Sequence, residues 1–144
     1  SDTMPKPTIS TATTHWEGNL FQGKGQTELT TSGVATFDVS WAKRAEAGQG
    51  NTNPEELLAA SLATCYSMAL SNALSEDGHD PASIDTQAAV TFVAGQGVTG
   101  ITISVSGDVP GLDADGFKAK AEWAKDNCPI SQALKAVPKE LVVR

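Results

Sequence analysis

The hydrophobic and polar positions divide the chain into a strand-rich opening and a longer part that mixes helix and strand. His15–Phe21, Gln26–Ser32 and Val34–Trp41 are rich in Thr, Val, Phe and Trp, and Gly23-Lys24-Gly25 and Ser32-Gly33 punctuate them. That texture predicts a small antiparallel meander. Residues 42–52, with Gly48 and Gly50, read as loop. Asn53-Pro54-Glu55-Glu56 then opens the strongest helix in the sequence. Asn53 suits the N-cap, Pro54 the first helical position, and Glu56 completes a capping box. Two carboxylates in the first turn also suit the helix dipole. The helix is expected to run to about Ser75, ending near Gly78, and it is apolar or small on nearly every side. Such a helix is a buried one.

Ile84–Ala94 and Thr99–Val109 read as a strand pair joined by Gly95-Gln96-Gly97. In the second, Ile101, Ile103 and Val105 alternate with Thr102, Ser104 and Ser106, which predicts one buried and one polar face. Leu112–Asn127 is an amphipathic helix with Phe117, Ala121 and Ala124 on one stripe. Cys128-Pro129 restarts a shorter helix to about Ala136, and Glu140–Val143 closes as a strand. The predicted order is βββ-α-ββ-α-α-β, an α+β class. Residues 1–14, polar and twice interrupted by proline, are expected to form an extended arm. Residues 15–144 are expected to form a single domain.

Composition narrows the function. At 144 residues, 40% hydrophobic and 19% charged, the chain reads as one globular domain. Its net charge of −7 argues against a phosphate-tracking nucleic-acid surface and against attachment to anionic lipid. No apolar run is expected to reach the roughly 20 residues of a membrane helix. With no charged-then-apolar leader at the start, the cytoplasm is the expected location.

Two cysteines are too few for a disulfide scaffold or a cysteine zinc site. They are either inert core thiols or a working redox pair. Cys65 lies mid-helix, where a free thiol is commonly a small apolar core residue. Cys128 precedes Pro129, so it occupies the N-cap slot of the last helix, where unpaired N–H groups stabilise a thiolate. Arg44 is the one internal arginine. A loop arginine is usually solvated, and capping alone accounts for Glu55 and Glu56. His15 and His79 are not spaced like metal ligands, and no glycine-rich loop supports nucleotide binding.

Several segments together resemble the OsmC/Ohr family of thiol peroxidases. Asn53-Pro54-Glu55-Glu56-Leu57-Leu58-Ala59-Ala60 followed by Cys65-Tyr66-Ser67-Met68-Ala69-Leu70 resembles its first motif. Cys128-Pro129-Ile130-Ser131-Gln132-Ala133-Leu134 resembles its second. His15-Trp16-Glu17-Gly18 and Ser83-Ile84-Asp85-Thr86 are similar to the OsmC branch. The resemblance implies a peroxidase without metal or cofactor that acts on organic hydroperoxides and, less well, on hydrogen peroxide. By motif position, Cys65 would attack the peroxide and Cys128 would resolve the product as a disulfide. Arg44 would hold the Cys65 thiolate, and Glu55 would be the acidic partner. Residues 15–32 contain no arginine, so the Ohr placement of that arginine has no counterpart here. Ala45 follows Arg44 where the family commonly has an aromatic residue.

The resemblance also implies an intertwined homodimer with central buried helices, and a dithiol reductant such as a dihydrolipoyl group on a protein. Geometry supports a partner copy independently. Glu55 and Cys65 are ten residues apart, about 15 Å along one helix, so one straight helix cannot bring them together. An antiparallel partner helix across a two-fold axis would. The alternative from another class is a non-catalytic binding module with a structural Cys65–Cys128 disulfide.

Overall fold

The computed structural model describes residues 4–45 and 50–144. The chain forms two compact units, 1–53 and 54–144.

The first unit holds the meander as β1 (Thr13–Glu17), β2 (Lys24–Glu28) and β3 (Thr36–Val39), in sheet order β1-β2-β3 with both pairings antiparallel. Each strand is shorter than its hydrophobic texture suggested. Gly18 ends β1 at a φ of 88°, a conformation that disfavours any side chain. Ahead of β1, the Thr31 N–H donates to the Thr11 carbonyl at 3.0 Å, which ties the end of the arm to the β2–β3 turn. One correction concerns the stretch after β3. Trp41–Ala45 forms a short helix, α1, where loop was expected. Ala, Lys and Arg are good helix formers, and no glycine intervenes before Gly48. Residues 46–49 of that expected loop lie outside the described residues, as does the side chain of Lys43, and 50–52 form neither helix nor strand.

The second unit opens with α2 (Pro54–Glu76). It continues through β4 (Ser83–Val93), β5 (Gly97–Asp108), α3 (Ala114–Asn127), α4 (Pro129–Ala133) and β6 (Lys139–Val143). The sheet order is β4-β5-β6, with β5 antiparallel to β4 and parallel to β6. A parallel return requires a crossover, and α3 with α4 supplies it. The core lies between the sheet and the helices. Leu62, Tyr66, Leu70 and Leu74 come from α2, Ile101, Ile103 and Val105 from β5, and Phe117, Ala121 and Ala124 from α3. The four α2 residues recur every fourth position and so form one stripe. Each buried Leu contributes about 1.5–3 kcal/mol.

Two further differences follow from this packing. Apart from Glu55 and Ala73, the helix α2 is fully buried only on that stripe, whereas Ala60, Ser61, Thr64, Met68, Asn72 and Ser75 are exposed in the protomer. Ser104, expected on the polar face, is buried. It lies opposite Gln87 and Val142 in the middle strand, and these larger neighbours shield it. By length and composition α2 could also cross a membrane, with a mean hydropathy of 1.4 over 18 residues. This corrects the expectation that no apolar run reaches such a length. Serines and threonines interrupt the run, and its Ala, Leu and Met residues outweigh them.

Candidate active site

The second unit brings the two cysteines together. Cys65 lies on α2 beside the buried stripe and is half-buried; Cys128 is fully buried; both are free thiols. Cys65 packs against the core cluster that contains Cys128, and the two thiols are close enough to influence each other's charge. The site is thus a pair of apposed thiols set in the apolar core.

Cys128 is held by the junction it occupies. Its backbone N–H donates to the Ala124 carbonyl at 3.0 Å, closing α3. Its Sγ accepts from the Ser131 N–H at 3.3 Å, capping α4. The N-cap position expected from Cys128-Pro129 is therefore occupied as expected. Burial pushes the Cys128 thiol above its ordinary range. The N–H groups of Ser131 and Ile130 pull it back, and the adjacent Cys65 adds to the rise. Tyr66, next to Cys65 in sequence, is fully buried and donates its hydroxyl to the Ala121 carbonyl at 2.9 Å. That bond joins α2 to α3 at the level of the thiols. Burial holds the Tyr66 phenol protonated far into alkali, with the Glu122 and Cys128 charges acting the same way.

Three more side chains fix the Cys128 segment, none of them marked by the motifs as a site residue. Ser131, almost fully buried, donates its hydroxyl to the Lys125 carbonyl, and the Gln132 amide donates to the Asp126 carbonyl. Lys139 donates through Nζ to the Leu134 carbonyl at 2.7 Å and the Val137 carbonyl at 3.2 Å. The usable sequence signal was Ser131, three residues after a capping residue. Lys139 carried none, because its partners are backbone carbonyls.

Glu55 lies buried in the first turn of α2. Arg44 lies on α1 in the first unit, half-buried, with its backbone N–H donating to the Ser40 carbonyl at 3.2 Å. Among the described residues, no group of three His, Cys, Asp or Glu side chains is arranged to hold a metal ion.

An α+β fold that sets one thiol on a core helix against a second at a helix junction belongs to the thiol-redox proteins. The family described as OsmC-like protein matches residues 47–141. Peroxiredoxin OsmC of Escherichia coli is 45% identical over 125 residues, covering 85% of this chain and 87% of that protein. Organic hydroperoxide resistance protein OhrB of Bacillus subtilis is 32% identical over 103 residues, covering 70% and 75%. The crystal structure of OhrB superposes with a TM-score of 0.66 at 29% identity, covering 93% of this chain and 98% of that one. An organic hydroperoxide resistance protein OsmC from Legionella pneumophila shares the fold, with a TM-score of 0.73 at 22% identity and coverage of 96% and 98%. The chain belongs to the OsmC-like family.

Proposed function

We propose that this protein reduces organic hydroperoxides, and less well hydrogen peroxide, through a Cys65 sulfenic acid and a Cys65–Cys128 disulfide. It is a thiol-dependent peroxidase. The observation that carries the mechanism is the apposition of two free thiols, one half-buried and one fully buried, in an apolar core. The more accessible sulfur is the better placed of the two to meet a peroxide.

The Cys65 thiolate attacks the terminal hydroxyl oxygen of the hydroperoxide; the O–O bond breaks, the alkoxide leaves and is protonated to the alcohol, and Cys65 becomes a sulfenic acid. The Cys128 sulfur then attacks, and water leaves as the disulfide forms. Burial of Cys128 protects it from competing oxidation until Cys65 has reacted. A thiolate in apolar surroundings needs a fixed positive charge, and the motif resemblance assigns that role to Arg44, with Glu55 orienting the guanidinium. The apolar residues around Cys65 favour alkyl hydroperoxides over hydrogen peroxide.

A dithiol, such as a dihydrolipoyl group on a protein, resets the disulfide. A thiol pair reset this way belongs in a reducing compartment, and the cytoplasm is the proposed place of action. The working form is a homodimer. The exposed Ala60, Ser61, Thr64 and Met68 face of α2 supports this reading, since small residues allow close helix approach. The distance of about 15 Å that one helix puts between Glu55 and Cys65 supports it too.

Thiol counting tests the function. Reduced protein mixed with cumene hydroperoxide should lose two thiols per chain within the first turnover, and Cys65→Ser should lose none. Retention of both thiols by the wild-type protein would return the pair to a structural role.

A further inference from the structure

The Cys128 segment is tied down at both ends, and one of its ties carries a charge. At its start, Ser131 and Gln132 reach back to the carbonyls of Lys125 and Asp126. At its end, the Lys139 ammonium bridges the Leu134 and Val137 carbonyls. Cys128 caps one end of α4 and Leu134 the other. Six residues of helical rise separate them, on the order of 9 Å. Lys139 also opens β6, where it pairs with Ile101 of the core strand β5. Its position is therefore set by the sheet as well as by α4.

We propose that Lys139 is a positioning residue for the resolving thiol. It anchors the end of α4 to the sheet, so that Cys128 stays against Cys65, and its positive charge acts on Cys128 from that end. The proposal rests on Cys65 and Cys128 acting as attacking and resolving cysteines. In the resolving step the Cys128 thiolate attacks the sulfur of Cys65 sulfenic acid. The S–O bond breaks and the S–S bond forms. Hydroxide leaves and takes up the proton that Cys128 gave up, so water is the by-product and no outside oxidant is needed. A nearby cation favours the attacking thiolate. The same cation assists reduction, when Cys128 leaves the disulfide as a thiolate.

The charged groups facing Lys139 are consistent with this role. Burial pulls its pKa down, the Cys128 and Asp126 charges push it back up, and Lys125 adds to the lowering. The Cys128 charge thus acts on Lys139.

The test separates the two chemical steps. Reduced protein is mixed with cumene hydroperoxide in a stopped-flow instrument. Cys65 oxidation is followed as the first phase and disulfide formation as the second. Lys139→Met should leave the first phase unchanged and slow the second about tenfold near neutral pH, the size of loss expected when a reacting group is slightly misplaced. Sulfinate on Cys65 should accumulate at excess peroxide. The deficit should shrink as pH rises, because solvent then deprotonates Cys128 unaided. Lys139→Arg should recover most of the rate. Lys139→Gln is the second variant should the methionine variant fail to fold, with the same expectation.

A second phase and sulfinate yield equal to wild type, in a variant of unchanged melting temperature, would overturn the role of Lys139. An equal slowing of both phases would also overturn it, by indicating general destabilisation. Absence of a first phase in the wild-type protein would instead overturn the peroxidase reading on which the role rests.

Discussion

Disulfide formation should be slow near neutral pH and rise steeply with pH, because the resolving thiol is the more deeply buried one. Cys128 is fully buried, and burial raises it above an ordinary value of 9.0. A thiol with a pKa of about 9 is only about 1% thiolate at pH 7, and a raised one has less. Resolution proceeds through the thiolate. Between pH 7 and pH 8.5 that fraction grows about twentyfold to thirtyfold, and the resolving rate should follow it.

The same shift has a sign for stability. The native state favours the protonated thiol, so the unfolded chain ionises first. The Cys128 contribution is therefore complete below the unfolded pKa and is lost as pH rises through the higher folded value. The measurement oxidises Cys65 with one equivalent of hydroperoxide, quenches at intervals and counts disulfide, at several pH values. The melting temperature is recorded in the same buffers and should fall in alkali above about pH 9. A resolving rate that is flat from pH 7 to pH 8.5 would refute the reasoning, because it would mean that ionisation of Cys128 does not limit resolution.

Three further outcomes are expected. A Cβ at Gly107 would lie 2.7 Å from the Phe117 ring in the core, so Gly107→Ala should cost about 1–3 kcal/mol in denaturant unfolding. Adding Phe117→Leu should recover part of that loss. Arg44→Ala should slow Cys65 oxidation near neutral pH, with a loss that shrinks in alkali; Arg44→Lys should rescue it only partly, because an ammonium lacks the planar fork. Identical pH–rate profiles for both variants and wild type would return Arg44 to a solvated surface role. Sedimentation equilibrium at low micromolar concentration should give twice the 14.9 kDa chain mass, and Met68→Lys on the exposed face of α2 should lower it. A monomer mass throughout for the wild-type protein would contradict the dimer.

What was legible in the sequence was local. The turn from Asn53 into Pro54 and two glutamates marks the start of α2 because capping chemistry is written in adjacent residues. The inward run of Ile101, Ile103 and Val105 is legible because alternation is a property of the strand itself. Cys128 before Pro129 is legible for the same reason as Asn53. What the sequence hid depends on other strands and helices. Ser104 is buried by its cross-strand neighbours, and α1 forms where glycines nearby suggested loop. The partly exposed state of α2 was hidden because its apolar residues look alike whether they face the sheet or the outside. At the site, motif position identified the cysteines. Ser131 and Gln132 stand in the second motif without showing what they bind, and Lys139 left no mark at all, because all three bind backbone carbonyls.

The central claim is that Cys65 and Cys128 exchange electrons with a hydroperoxide as a pair. Mass spectrometry after one equivalent of cumene hydroperoxide tests it most directly, read on the wild-type protein and on Cys128→Ser. The account predicts a single peptide pair joined through Cys65 and Cys128 in the wild type, with one equivalent of alcohol released. In Cys128→Ser it predicts a dimedone adduct on Cys65 alone. Both thiols intact in the wild type, or no adduct on Cys65 in the variant, would contradict it.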